Sequence, residues 1–361
     1  MKKKILLIAT VYRVGDRIYP IIPELSKFYS IDLLKINEMS SEMGWYGDND
    51  PRILFDKKYS KFFNNIYDAG FKSSRLNPSD FLINFDVSGY DLILYDDDRN
   101  RHGIYLLYEK IKNTNCIMIG NVHGNWWFPE KSHIPQFHKK VFDFASVFGN
   151  KEKNSHSPND YIFTGGIPSN DELQYYDRTD DFILVIVNFL GTMRNTIPDH
   201  FRVLFDETFM KNSGLVELQK EYDKKVVFKL KSREAHPFPD EDFRYLHSIV
   251  PKELDYSIIM DFEDNNQLIC GSNIVISAPS TFAFKSIQKG IPTILIEGAG
   301  TTGNFYDFSG LVNLDKNKIL KNVETQIVNG RDNEFISNTI EGGLDFNSTE
   351  VYINKIKDFL Q

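Results

Sequence analysis

The chain has 361 residues, 41% hydrophobic and 25% charged, and its 42 Lys and Arg against 50 Asp and Glu give a net charge of -8. That length exceeds what one compact core usually holds, so two domains are expected, and 29 Phe with 18 Tyr exclude disorder and a small stapled scaffold. The acidic balance argues against a surface built to grip duplex DNA, and Cys116 and Cys270 make neither a disulfide framework nor a metal-ligand pair, which fits a reducing compartment.

The opening MKKKILLIAT looks like the head of a signal peptide, but its apolar run stops at Ala9. A buried first strand over Ile5–Ala9 is the better reading. No apolar run approaches the ~18 residues of a membrane span, so any membrane contact is peripheral. The expected location is the cytoplasm, with peripheral contact at the inner membrane face. Further strands are predicted at Ile31–Ile36, Leu92–Tyr95, Cys116–Ile119 and Ser146–Phe148, alternating with amphipathic stretches. This rhythm predicts a parallel sheet covered by helices. The segment between Ile36 and Asp91 is mixed in character and reads as helical, bordering the acceptor side.

Three early loops carry polar groups at strand ends. Gly15 lies in ATVYRVGDR after the first strand. Asp96, Asp97 and Asp98 follow Leu92–Tyr95, where carboxylates serve as a general base or simply build a polar turn. His123 and Gly124 follow the next strand, and a histidine there can take a proton near neutral pH or bond to backbone. Trp126 and Trp127 offer a stacking face for a sugar ring, or packing for the loop.

Gly, Pro, Asn and Asp cluster from Gly165 to Asp181, which marks a hinge. The predicted domains are 1–165, a linker over 166–181, and 182–330, with 331–361 a helical segment returning to the first domain. Second-domain strands are predicted at Ile183–Val187, Val226–Leu230, Ser257–Met260, Ile274–Ser277, Thr293–Ile296 and Leu311–Asn313. The apolar spacing of Val351, Ile353, Ile356, Phe359 and Leu360 predicts a last helix.

The most informative stretch runs from Ile274 to Gly300. A buried strand ends at Ser277, Pro279 forces an extended turn, and Ser280 and Thr281 stand where a helix begins. Such a turn offers backbone N–H groups and hydroxyls to a diphosphate, or uses a hydroxyl to cap the helix. Gly290 ends the helix, TILI follows, and Glu297 with the loop Gly298–Gly303, including Thr301 and Thr302, falls at the same strand edge. In doubly wound sheets ligands gather beyond the carboxyl ends of strands. There is no Walker-type phosphate loop, no G-x-G-x-x-G after the first strand and no G-x-S-x-G elbow.

This strand, Ser/Thr turn, helix, G-x-P and strand resemble the GT-B superfamily of glycosyltransferases. The nearer likeness is to CDP-glycerol glycerophosphotransferases and bacterial sialyl- or Kdo-transferase-like enzymes. VVFKLKSREAHP resembles their basic strand end with a His-Pro pair, YIFTGGIPSNDEL their joining segment through Gly166, Pro168 and Asp171, and NVHG their His-Gly. The resemblance implies an α/β GT-B fold, two Rossmann-like domains facing a central cleft. It implies a metal-independent glycosyltransferase that needs no cofactor, with a nucleotide sugar as donor and a carbohydrate or glycolipid hydroxyl as acceptor, in surface polysaccharide or glycoconjugate synthesis. A modified DNA acceptor is disfavoured by the net charge.

The resemblance assigns His123, Asp96 or Asp97 as catalytic base. Lys229, Lys231, His236, Ser280, Thr281, Glu297, Thr301 and Thr302 bind the donor, and Gly15, Trp126 and Trp127 lie on the acceptor side. Rival readings are a polyol phosphotransferase, a nucleotide-sugar 2-epimerase and a non-catalytic nucleotide-binding protein.

Overall fold

The computed structural model describes residues 2–10, 18–37, 51–71, 78–97, 103–122, 141–155, 160–187, 190, 205–230, 239–260, 264–280, 282–297 and 307–361. Contacts divide the chain into two units. The first takes the described residues up to Asp171 and returns for Ser337–Gln361; the second includes Glu172–Ile336.

In the first unit β1 (Lys4–Ala9), β2 (Ser30–Asn37), β3 (Ile66–Phe71), β4 (Leu92–Tyr95), β5 (Ile117–Asn121), β6 (Phe144–Val147) and β7 (Ile162–Thr164) form one sheet in the order β3-β2-β1-β4-β5-β6-β7. Every neighbouring pair is parallel. The side-chain period of 2 explains why β1 is apolar after Lys4 and why β2 has apolar residues on both faces. Ile5, Leu7, Ala9, Ile31 and Leu33 join a core on one face, while Leu6, Ile8, Leu34 and Ile36 join another core on the opposite face. The edge strand β3 and the three-residue β7 are additions to the predicted strands. β3 reads IYDAGF, without a clean alternation, and its pairing with β2 shifts register between Lys35 and Asn37. The stretch read as helical thus holds a helix at Pro51–Tyr59, then this strand, then a helix at Pro78–Asn84.

The last helix, Ser348–Phe359, belongs to the first unit. It buries Tyr352, Ile353 and Ile356 in the core that holds Ile5 and Leu7, with Phe359 stacked on Phe144 at 4.3 Å between ring centroids. At roughly 1.5–3 kcal/mol per large apolar side chain, this face outweighs the weak propensity of so short a helix. Its start is held from far along the chain, because Asp171 accepts from the N–H groups of Ser348 (3.0 Å) and Thr349 (2.7 Å). Gly166 permits the approach. Its φ of 69° suits glycine, and a Cβ there would clash with the Glu341 carbonyl and the Ser348 hydroxyl.

In the second unit β8 (Phe182–Val187), β9 (Lys225–Leu230), β10 (Tyr256–Ile259), β11 (Ser272–Ser277), β12 (Thr293–Ile296) and β13 (Leu311–Val312) give the order β10-β9-β8-β11-β12-β13. All pairs are again parallel. Each sheet therefore starts at an inner strand, grows to one side, and then crosses to the other. The reversals lie at β1/β4 and β8/β11.

Asp171→Ala removes two helix-capping bonds and is expected to lower the unfolding free energy by about 1–2 kcal/mol. Denaturant unfolding measures it, and an unchanged midpoint would show that the cap contributes nothing.

Candidate functional site

The strand order directs attention to the carboxyl ends of the strands at each reversal, where helices on opposite faces diverge and leave a crevice. In the first unit these ends are Ala9 and Tyr95. Here Asp96 is 1% exposed and accepts from Thr10 N (2.8 Å), Thr10 Oγ1 (2.8 Å) and Tyr19 Oη (2.7 Å). Its carboxylate thus bridges the ends of β1 and β4 and ties in the turn before the helix Ile21–Phe28. Asp97, fully buried, accepts at its backbone carbonyl from Asn121 N. Asn121 donates its side-chain amide to the Tyr95 carbonyl at 2.8 Å and accepts from Tyr352 Oη at 2.5 Å. The last helix thereby reaches the carboxyl edge of the sheet.

Burial pushes the Asp96 carboxyl up to about 6, and the neighbouring Asp97 charge adds to this against the downward pull of Tyr19 and Thr10. Asp96, expected as an acceptor-activating base, is placed in the structure as a member of this strand-end network. Both of its oxygens are bonded to protein groups and the residue is closed off from solvent, so its geometry is that of a fastener at the strand reversal. Thr10, Tyr19, Asn121 and Tyr352 are members of this network that sequence reasoning missed. Thr10 carried a local signal, as the first polar residue after β1. Tyr352 carried none, since it reaches the edge by tertiary packing alone.

In the second unit the reversal brings together the ends of β8 and β11. Ser277 is buried and donates to the Ala278 carbonyl at 2.6 Å, turning the chain out of the strand. The following helix is short, Ala283–Lys289, with Phe282 at its N-cap and no side-chain capping bond. Its first turn is closed instead by Ala283 N donating to the Ser280 carbonyl at 3.1 Å. Ser280 is therefore not a side-chain cap. Its Oγ is buried with no hydrogen-bond partner among the described residues. Gly290 ends the helix at a φ of 73°, as the sequence predicts.

Glu297 lies just past β12, half-buried, with its N–H donated to the Val312 carbonyl at 2.8 Å. Lys229, next to last in β9, donates to the carbonyls of Leu230 (2.9 Å) and Met260 (2.7 Å). The expected phosphate contact of Lys229 would have to come from its ammonium group while these two bonds hold it at the strand ends. Two of its three ammonium donors bind the carboxyl ends of β9 and β10 together. Lys231, His236, Thr281, Thr301, Thr302, Gly15, His123, Trp126 and Trp127 lie outside the described residues. Among the described residues no group of three or more His, Cys, Asp or Glu is placed to hold a metal ion.

No protein-family model matches the chain, and no curated protein matches it. Solved structures do. The UDP-GlcNAc 2-epimerase of Methanocaldococcus jannaschii is similar at 15% identity and a TM-score of 0.63, covering 98% of this chain and 99% of that one. The UDP-GlcNAc 2-epimerase of Neisseria meningitidis, solved with UDP-GlcNAc, is similar at 12% identity and a TM-score of 0.61, over 98% and 100% of the two chains. A glycosyltransferase of Rickettsia africae is similar at 12% identity and a TM-score of 0.56, over 100% and 99%. The chain has a GT-B-like fold of two parallel-sheet α/β units, as the sequence implied.

The Asp96 shift has a pH signature of definite sign. An unfolded Asp titrates near 3.9, so between about pH 4 and 6 the native state holds a proton that the unfolded chain has released. The associated stability is complete below the unfolded value and is lost as pH rises through about 6. Asp96→Asn removes this dependence. From about pH 4.5 to about pH 7.5 the variant is expected to gain about 2 kcal/mol relative to the unaltered protein, measured by denaturant unfolding at each pH. A constant difference across that range would rule out the raised carboxyl.

Proposed function

We propose that the chain binds a nucleoside diphosphate sugar and changes the sugar, with epimerisation at the carbon next to the anomeric centre as its reaction. The observation that carries the binding claim is the Ser280 hydroxyl. A buried hydroxyl without a partner costs roughly 1–3 kcal/mol, and a native chain keeps such a group where a ligand supplies the missing bond. Ser280 is half-buried as a residue, so a turn about χ1 presents its Oγ to a phosphate oxygen beyond β11. Thr281, Lys231, His236, Thr301 and Thr302 are assigned to the diphosphate and sugar, and Glu297 to the ribose hydroxyls, on the resemblance of their segments.

Three considerations support epimerisation over transfer. The two epimerases superpose with TM-scores of 0.63 and 0.61, against 0.56 for the glycosyltransferase. Inverting that carbon balances with no acceptor and no net water when one group takes the C2 proton as the electron pair forms a C1–C2 double bond and expels the nucleoside diphosphate, and another group protonates C2 on the opposite face as the diphosphate oxygen bonds to C1 again. Groups of that kind stand at the first unit's carboxyl edge, where the buried Asp97 adjoins a carboxyl held near neutrality; His123 follows the neighbouring strand by two residues. We assign His123 and one of the adjacent pair Asp96 and Asp97 as the acid–base groups. Glycosyl transfer to a hydroxyl is the second reading, favoured by the likeness to the Rickettsia glycosyltransferase.

UDP-GlcNAc is the first substrate to test, since it occupies the Neisseria structure. Incubated alone with the protein in deuterium oxide, it is expected to give the C2 epimer, with deuterium at the inverted carbon by NMR. Substrate that stays unchanged alone but is consumed when a carbohydrate hydroxyl is added would replace epimerisation with transfer. Ser280→Ala is expected to weaken UDP affinity by about tenfold, the worth of one hydrogen bond to a charged oxygen, while leaving unfolding stability unchanged or higher. Equal UDP affinity in calorimetry would remove Ser280 from the site. His123→Ala is expected to keep UDP affinity and lower turnover by roughly 10²–10⁴. Full turnover in that variant would move the proton transfer elsewhere.

A further inference from the structure

The first unit carries a cluster of lysines at the edge of its sheet opposite Asp96. Lys2 and Lys3 precede β1, Lys27 ends the helix Ile21–Phe28, Lys61 lies in the 3₁₀ turn Ser60–Phe62, and Lys357 lies in the last helix. These segments converge. Lys2 Nζ donates to the Lys27 carbonyl at 3.2 Å, and Lys3 Nζ donates to the Leu360 carbonyl. Lys357 Nζ sits 4.2 Å from the Phe28 ring centroid, and Lys61 Nζ sits 5.2 Å from that of Phe62. Asn64 N donates to the Ile31 carbonyl at 2.8 Å, which holds the Ser60–Phe62 turn against the start of β2.

Among the described residues the carboxylates close to this cluster are Glu24, paired with Lys27 at 2.5 Å, the exposed Asp358 beside Lys357, and Asp91, which accepts from Lys4 N at 2.7 Å. Lys4 is not counted, because the buried Asp32 engages it at 2.8 Å. Five ammonium groups against three carboxylates leave an excess of two positive charges on a protein whose net charge is -8. Within the cluster Phe28 is 47% exposed, and Tyr29 and Phe62 are half-buried.

We propose that this basic, aromatic surface docks on an anionic lipid bilayer. Two features select a lipid surface over a nucleic acid. Every cation in the cluster is Lys, a strongly hydrated point charge suited to a diffuse layer of headgroups; none is Arg, whose planar fork recognises individual phosphates. An exposed Phe next to ammonium groups gains free energy by entering the headgroup boundary, where aromatic rings and snorkelling lysines collect. Among the described residues no helix is long and apolar enough to cross a membrane, so the contact is one of surface adsorption. It leaves the other sheet edge uncovered: the six residues of β1 set Thr10 and Asp96 roughly 20 Å from Lys3 and Lys4.

The test is sedimentation of the full chain with vesicles. With phosphatidylcholine containing about one-third phosphatidylglycerol at low salt, partitioning is expected to exceed that on phosphatidylcholine alone by at least tenfold, and to fall by tenfold or more at about 0.5 M NaCl as the Debye length shrinks. Lys27→Glu combined with Lys61→Glu is expected to abolish the difference between the two lipids, and Phe28→Ser to weaken binding severalfold while keeping its salt dependence. The unaltered protein's salt titration needs no variant to fold. Equal partitioning on both lipids, absence of binding to either, undiminished binding by the double variant, or retention on a soluble polyanion without vesicle binding would each overturn the proposal.

Discussion

A parallel sheet can be joined only by crossovers, and right-handed crossovers put the connecting helices on opposite faces wherever the strand order reverses. Both sheets of this chain grow to one side of their first strand and then cross to its other side, so the reversals lie at β1/β4 and at β8/β11. Each reversal leaves backbone groups and a gap at the carboxyl ends that the flanking helices do not cover. The two units deal with that gap differently. In the first, the Asp96 carboxylate spans it with three hydrogen bonds to Thr10 and Tyr19. In the second, Ser277 turns the strand outward, and the next hydroxyl, Ser280, is left with no partner among the described residues. One crevice is closed by the protein's own groups and the other ends on an unmet bond. The proposed function follows from that asymmetry.

The closed crevice also carries an electrostatic burden. Two adjacent acids, each almost wholly buried, hold the first unit's edge at a charge that depends on pH near neutrality. Replacing such a carboxylate by a neutral isostere is often tolerated or stabilising. Persistence of the acidic pair is physically sensible where its charge serves chemistry beside it. Lys229 is a cation at the other unit's strand ends, where it joins β9 and β10 through their carbonyls.

Much of the fold was legible in the sequence because buried parallel strands are short apolar runs with sharp ends, and KILLIA, FILVIV, SNIVIS and TILI are all of that kind. β3 and β7 were not, since an edge strand with Asp68 and Gly70 and a strand of three residues present no period to read. The turn at Ser277–Ser280 could be placed from Pro279 and Gly290, but the choice between a capping hydroxyl and an orphan one depended on where the helix starts, and Phe282 takes the N-cap. Asp96 was found by its position, but its bonds to Thr10 and Tyr19 were not legible. A strand-end carboxylate looks the same in sequence whether it faces solvent or the neighbouring strand, and only the approach of Thr10 and Tyr19 decides between them.

The bond from Asp171 to the start of the last helix gives the two units different histories during synthesis. The second unit's strands all lie within Glu172–Ile336, and that stretch can condense as soon as its own residues have left the ribosome. The first unit cannot finish then. One wall of its core, with Tyr352, Ile353 and Ile356, arrives with the last few dozen residues, so its sheet face stays open while the whole second unit is made. Contacts such as Tyr352 to Asn121 join positions 231 residues apart, and closing so long a loop is slow. The domain translated first is thus the one completed last, and during that interval its uncovered apolar face is the part of the chain most in need of a chaperone.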